Sequence, residues 1–259
     1  MRILILGTGE MAREHASGFA AIEGVEIVAA VDISRTNLEA FAAEFGIPNL
    51  FASIDEAIAW GEFDGASNVT PDQVHHATTL ALIAAGKHVL CEKPLAMDYD
   101  QASEMANAAE AANVVNLVNF TYRAMPASVR AREVVRSGML GELRHFNAAY
   151  LQSWLVADHW GNWRTERRWL WRLSQRHGSH GVVGDVGVHV VNLLSYVAGE
   201  NLARLQAHTA TFHKAPAQDL NQGYAHAAFV DGHVDQVSAY PPGNTFILSW
   251  PAGGTPPRW

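Results

Sequence analysis

Residues 2–12 read RILILGTGEMA, and this stretch decides the fold. RILIL is a short continuous apolar run, as expected of a buried parallel strand. The turn after it, Gly7-Thr8-Gly9-Glu10-Met11-Ala12, fits G-x-G-x-x-G/A. In that pattern Gly7 permits a tight turn, Gly9 lets backbone approach a pyrophosphate, and Ala12 keeps the following helix close to the sheet. The helix N-terminus adds free N–H groups and partial positive charge for phosphates. The motif is weak alone and gains weight from context: it follows a strand, opens a helix, and is followed by Asp32 at the end of a second strand. Asp32 can accept both ribose hydroxyls of NAD and would repel a 2′-phosphate. Arg35, three residues on, acts the other way, by pairing with a phosphate or stacking on adenine. NAD is the favoured cofactor and NADP the alternative.

The alternation continues outward. VEIVAAVD (25–32) reads as a strand and RTNLEAFAAEF (35–45) as a helix. SIDEAIAW (53–60) opens with a capping box, Ser53 with Glu56. GASNV (65–69) is a strand, and TPDQVHHATTLALIAAG (70–86) a helix with Pro71 near its start and Gly86 past its end. HVLCE (88–92) is a strand, residues 98–113 a helix, and VVNLVNF (114–120) a strand. These strands, alternating with helices, imply an α/β fold with an N-terminal doubly wound (Rossmann) parallel sheet over residues 1–120.

The pattern changes after Phe120. Residues 127–137 read as a helix, LRHFNAAYLQ (143–152) as a longer strand, GVVGDVGVHVVNLLSYVA (181–198) as a helix ended by Gly199, and LARLQAHTATFH (202–213) as a strand. Residues 121–259 have the composition of a C-terminal α+β domain with a mainly antiparallel open sheet. From about Gly223 the tail is poorly patterned and rich in Pro and Gly, as in a ragged edge strand plus loop.

Composition narrows the function. A formal charge of −8 argues against a general nucleic-acid or anionic-membrane binder. Hydrophobic residues at 49% supply a substantial core. The single cysteine, Cys91, excludes an intramolecular disulfide and reads as a core filler. The N-terminus enters a strand with no signal pattern, and no apolar run approaches the ~20 residues that span a bilayer. The expectation is a soluble cytoplasmic protein.

CEKPLA (91–96) places Glu92, Lys93 and Pro94 at the end of an apolar strand. Two ionisable groups there are costly unless used, and Pro94 stops the strand and pushes Lys93 toward an extended conformation. Together with GTGEMA, the run VTPDQVHHATTLALIAAGKHVLCEKPLA (69–96) resembles the Gfo/Idh/MocA family of NAD(P)-dependent oxidoreductases, over about residues 1–200. The resemblance maps the family's Thr-Pro loop to Thr70 and Pro71, its helix histidine to His75, and its Glu-Lys-Pro motif to Glu92, Lys93 and Pro94. It implies that Glu92 lies by the nicotinamide ribose and that the Lys-Pro peptide is often cis. Asn119, ending the sixth strand, could reach the cofactor. Tyr122 and Arg123 are candidates for substrate contacts or for an interdomain salt bridge.

The family's Asp-x-x-x-His pair maps to Asp185 and His189, whose spacing of four puts them on one helix face. A carboxylate beside an imidazole can orient the ring and stabilise its protonated form. The resemblance implies substrate between the domains. As hydride leaves for NAD⁺, His189 accepts the hydroxyl proton, directly or through Lys93, Asp185 steadies the imidazolium, and Lys93 stabilises the developing alkoxide. Which of Lys93 and His189 is the base stays open. Trp154, Trp160, Trp163, Trp169 and Trp171, interleaved with Arg164, Arg167, Arg168 and Arg172, suit a sugar ring, with Trp163 and Arg164 taken as substrate contacts; each tryptophan also suits an interface or core. His177, His180, Asp185 and His189 fit no usual zinc spacing, so no metal is expected.

Two departures from the family stand out. Asn192 replaces an acidic residue three past the histidine, and family members carry a longer C-terminal half, so an open sheet truncated at Trp259 is one expectation. The main reading is a homo-oligomeric sugar or cyclic-polyol dehydrogenase. The alternatives are a catalytically silent or truncated NAD-binding protein and an NAD-dependent glycoside-cleaving enzyme of the same fold.

Overall fold

A computed structural model of the chain describes residues 1–143, 145–151, 161–162, 166, 183–200 and 245–251. The chain divides into two compact units, Met1–Asn119 and Phe120–Trp259.

The first unit is a six-stranded sheet. In chain order it contains β1 (Arg2–Leu6), α1 (Glu10–Ala20), β2 (Glu26–Val31), α2 (Arg35–Phe45), β3 (Asn49–Phe51), α3 (Ile54–Trp60), β4 (Gly65–Asn68), α4 (His75–Ala84), β5 (His88–Cys91), α5 (Tyr99–Ala111) and β6 (Asn116–Val118). The strands run parallel in the order β3-β2-β1-β4-β5-β6, so the chain reverses direction across the sheet between β1 and β4. Side-chain alternation along β1 explains the two-sided cover. Leu4 and Leu6 pack in one cluster with Ala57 of α3, Leu82 of α4 and Ala109 of α5. Ile3 and Ile5 pack in the other with Ala12 and Ala16 of α1 and Leu38 and Phe41 of α2. A strand apolar on both faces therefore has helices on both faces.

Local signals set the helix ends. Ser34 and Ser53 accept the N–H groups of Asn37 and Glu56 at 3.4 and 3.3 Å, and Asp98 that of Gln101 at 2.9 Å. The capping box at Ser53 is shifted by one residue, because Glu56 returns to the N–H of Ala52. The segment expected as one helix from Thr70 instead starts with a 3₁₀ turn, Asp72–Val74. β3 has only three residues and no readable alternation, which is why the sequence does not single it out.

The second unit contains a 3₁₀ turn (Thr121–Ala124), α6 (Pro126–Arg136), β7 (His145–Leu151), a π-helical turn (Val183–Gly187) running into α7 (Val188–Ala198), and β8 (Thr245–Pro251). Gly199, at φ +77°, ends α7 as expected. Val186, Val190 and Leu194 pack against Phe146, Ala148 and Tyr150 of β7. The ragged tail contains a regular strand: β8 pairs antiparallel with β7, Phe146 opposite Trp250 and Tyr150 opposite Phe246. The strand expected over 202–213 lies outside the described residues. Among the described residues no helix is long and apolar enough to cross a membrane.

Leu4 is fully buried on the central strand. Leu4→Ala is expected to lower unfolding free energy by about 2–5 kcal/mol, read from urea melts; a loss below about 1 kcal/mol would contradict this packing.

Candidate active and cofactor-binding site

The candidate residues of the first unit follow the carboxyl ends of adjacent strands. The glycine turn follows β1, Asp32 follows β2, Thr70 follows β4, Glu92 and Lys93 follow β5, and Asn119 follows β6. The reversal between β1 and β4 makes this edge the crevice in which open α/β sheets hold ligands. Gly7 takes φ +91°, and a Cβ there would stand 2.9 Å from the carbonyl oxygen of Val69. Only glycine fits. Gly9 caps α1 with no side-chain hydrogen bond, and a Cβ there would meet nothing within 4 Å. The protein itself has no steric need for glycine at position 9, whereas a phosphate lying on the first-turn N–H groups does. Ala12 is fully buried, Glu10 and Met11 exposed.

Asp32 is tied to this turn. Its Oδ2 accepts the N–H and hydroxyl of Thr8 at 2.8 and 2.6 Å, and its Oδ1 accepts the N–H of Ser34 at 2.7 Å. Thr8 is thereby buried as a link between the glycine turn and the acidic residue. Arg35 pairs instead with Glu39, one turn along α2, at 2.6 Å. The sequence reading missed Ile33. It is 97% exposed beside Asp32, an apolar side chain with nothing of the protein on it.

Three further loops are braced by buried polar groups. Asn68, fully buried at the end of β4, donates to Thr78 and Thr79 and accepts the N–H and hydroxyl of Thr70. Thr70 is thus fixed and Pro71 left exposed. His75 corrects an expectation. It is fully buried, with Nδ1 2.8 Å from the Pro94 carbonyl and Nε2 2.8 Å from the Thr70 carbonyl. It ties the Thr-Pro loop to the Lys-Pro tip and offers no surface to a cofactor.

Glu92 is buried too. Its Oε1 accepts from Asn119 Nδ2 and lies 2.9 Å from His15 Nε2, and its Oε2 accepts the N–H of Lys93 at 3.1 Å. Burial works to raise its pKa, but the hydrogen bonds from His15, Asn119 and Lys93 and the charge of His15 outweigh it and hold the carboxyl below the usual glutamate range. Lys93 is half-buried, and its peptide bond to Pro94 is cis. Burial pushes the Cys91 thiol up to about 12, consistent with a core filler.

In the second unit, the Tyr122 ring stacks on the His189 imidazole at 4.3 Å, and Phe120 meets it edgewise at 6.0 Å. The Tyr122 hydroxyl pairs with that of Tyr150 at 2.7 Å. Burial, then Tyr150, then the charge of Asp185 push the Tyr122 phenol well above its usual range. Asp185 lies in the π-helical turn and His189 one residue into α7, so the pair straddles a change of helix type, a feature common at functional sites. Arg123 donates to Asn192 at 2.6 Å and lies over the rings of Phe120 and Tyr196. Trp163, Arg164, His177 and His180 lie outside the described residues, and among those described no three metal-binding side chains converge.

A doubly wound sheet with a glycine turn at its reversal and an acidic residue after β2 defines a dinucleotide-binding protein. Comparison with known proteins narrows the class. Residues 1–120 match the model "Oxidoreductase family, NAD-binding Rossmann fold", and residues 128–240 match the GFO/IDH/MocA C-terminal domain. The chain is 33% identical over 220 residues to 1,5-anhydro-D-fructose reductase of Ensifer adhaerens, covering 83% of this chain and 62% of that protein. It is 27% identical over 235 residues to levoglucosan dehydrogenase of Pseudarthrobacter phenanthrenivorans, covering 88% and 58%. A solved levoglucosan dehydrogenase with NADH and levoglucosan shares the fold, with TM-score 0.77, 24% identity, and coverage of 89% of this chain and 61% of that one. The chain belongs to the Gfo/Idh/MocA family of oxidoreductases. It spans about 60% of the length of these relatives.

Two predictions follow from the geometry. Gly7→Ala is expected to destabilise by more than about 2 kcal/mol, from left-handed backbone strain and the collision with Val69. Gly9→Ala should lose less than about 1 kcal/mol, so urea midpoints that rank them the other way would contradict the turn. The depressed Glu92 pKa stabilises the fold above the usual glutamate range, and that contribution disappears as pH falls through the folded value. Wild type should therefore lose more stability than Glu92→Gln between roughly pH 6 and 3 in thermal melts.

Proposed function

We propose that the protein is an NAD-dependent dehydrogenase that oxidises a hydroxyl carbon of a sugar or cyclic polyol. One observation carries the reading. A glycine turn with an open helix N-terminus, linked through Thr8 to Asp32, shares a sheet edge with Lys93 two strands away. Kinship with a reductase and a dehydrogenase of anhydrosugars supports the substrate class.

The first-turn N–H groups at Gly9, Glu10 and Met11 hold the pyrophosphate. The free lone pairs of Asp32 take ribose hydroxyls, Ile33 lies under the adenine, and Thr70, Pro71 and Asn119 border the nicotinamide half. Both Glu92 oxygens are already engaged, leaving the remaining lone pair of Oε2 for a ribose hydroxyl. Arg35, occupied by Glu39, adds nothing for a 2′-phosphate, which favours NAD over NADP. Bound at this edge, the nicotinamide supplies the hydride acceptor. Lys93 donates a hydrogen bond to the reacting oxygen and stabilises charge as the proton leaves. His189 takes that proton, with Asp185 orienting the ring. Tyr122, Arg123, Trp163 and Arg164 are assigned to the substrate side, and the antiparallel strands of the second unit to an open sheet for homo-oligomer assembly.

Absorbance at 340 nm with NAD and a panel of sugars and polyols tests the reading. Wild type should produce NADH with at least one substrate. Lys93→Ala and His189→Ala should each lower kcat by at least about 10²-fold while NAD still binds, and Asp32→Ala should raise KM for NAD more than for substrate. Cofactor binding with no reduction of NAD on any substrate would establish a silent NAD-binding protein. Release of free sugar from a glycoside with no net NADH would establish the cleaving alternative.

A further inference from the structure

The sequence gives no prominence to His15, a mid-helix residue of EMAREHASGFA. In the structure it is buried at the centre of a polar cluster drawn from one helix and three strand ends. Its Nδ1 lies 2.7 Å from the Ser67 hydroxyl on β4 and its Nε2 2.9 Å from Glu92 Oε1, while Asn119 Nδ2 lies 3.0 Å from the same ring nitrogen. The donor pattern can be worked out. The pull on Glu92 keeps it ionised at neutral pH, and a carboxylate only accepts. Nε2 therefore carries the proton toward Glu92, and the Ser67 hydroxyl, which can donate or accept, serves Nδ1. Burying this cluster is expensive, and an apolar side chain at position 15 would pack among Ala12 and Ala16 at no such cost.

We propose that His15 is a positioning residue for hydride transfer, acting through Glu92 to fix Lys93. The assignment rests on the dehydrogenase reading. His15 and Asn119 together pin Oε1 of Glu92, which turns Oε2 onto the peptide N–H of Lys93. The lysine amine is thus aimed from a backbone atom clamped to α1, the same helix whose N-terminus holds the glycine turn. Without the Nε2 donor, Asn119 alone restrains Oε1, the carboxylate can rotate, and the Lys93 peptide loses its fixed acceptor. A misplacement of about 1 Å is enough to cost up to about 10²-fold in rate. The phosphate contacts proposed at Gly9 lie at the N-cap of α1, more than one turn from His15, and are untouched.

Three variants separate this role from packing. A glutamine amide nitrogen reaches the place of Nε2, whereas an asparagine reaches only that of Nδ1. Expected is a fall in kcat of about 30-fold in His15→Ala and His15→Asn, recovery to within about 3-fold in His15→Gln, and KM for NAD within about 3-fold throughout. Equal activity of the Asn and Gln variants, or a raised KM with kcat intact, would overturn the assignment. A second readout needs no turnover. The chain has three lysines, Lys87, Lys93 and Lys214, so ¹⁵N-lysine labelling resolves the Lys93 amide by NMR. Its proton should move upfield in the Ala and Asn variants and stay in place in the Gln variant. An unmoved amide in the Asn variant overturns the clamp. If no substrate in the panel lets wild type reduce NAD, the dehydrogenase reading fails, while the amide still decides whether His15 fixes Lys93. The Asn–Gln comparison stands even if His15→Ala does not fold.

Discussion

At Gly7 there is room for a hydrogen and nothing more. The N–H of Gly7 donates to Val31 at the end of β2, and the N–H of Val69, beyond β4, donates to Leu6. The turn after β1 is thus knitted to the strand on either side within two residues. The left-handed backbone and the 2.9 Å approach to Val69 are the geometric consequence. If β1 ended one residue later, or the turn carried a side chain, the β1–β4 seam would open where the sheet reverses. The first turn of α1 would then no longer sit over that seam.

The same edge is where the protein places buried polar groups. Three strands end at or just before a polar side chain that needs a partner: Asn68 ending β4, Glu92 just beyond β5 and Asn119 just beyond β6. An unpaired buried group of this kind costs about 1–3 kcal/mol. The partners are therefore structural requirements, and they come from the helices α1 and α4 and from the loop after β4. Thr70, Thr78 and Thr79 serve Asn68, and His15 serves Glu92. His75 holds the carbonyls of Thr70 and Pro94. The loops are braced where their backbone groups bond to these side chains.

The division between what the sequence shows and what it hides follows the range of the interaction. The glycine turn, the Ser53 and Asp98 caps and the apolar strands are set by residues within a few positions of one another, and each is readable. Arg35 pairing with Glu39 is also local, at helical spacing, and was available to the same reasoning. His15 is different. Its partners lie 52, 77 and 104 residues away, and only the strand order brings them together. The strand at Thr245–Pro251 is hidden for a related reason: its pairing with His145–Leu151 spans about a hundred residues, and Pro- and Gly-rich flanks mask its pattern. The family motif made Lys93, Asp185 and His189 conspicuous, but motif matching also carried His75 into the cofactor set, where burial removes it.

The surroundings of His189 suit the proton proposed for it. A protonated imidazole needs compensation, and Tyr122 presents a ring at 4.3 Å whose π face attracts a cation. The Tyr122 phenol does not compete by ionising, since burial, Tyr150 and Asp185 all hold it neutral. Among the described residues, Asp185, four residues before the ring, is the acidic group that acts on Tyr122. The π-helical turn, Val183–Gly187, carries that carboxylate directly ahead of α7. Asn192 fits the same logic. It accepts from Arg123 without adding a second carboxylate one turn beyond the histidine, so Asp185 is left as the one acidic group in α7 and the turn that opens it.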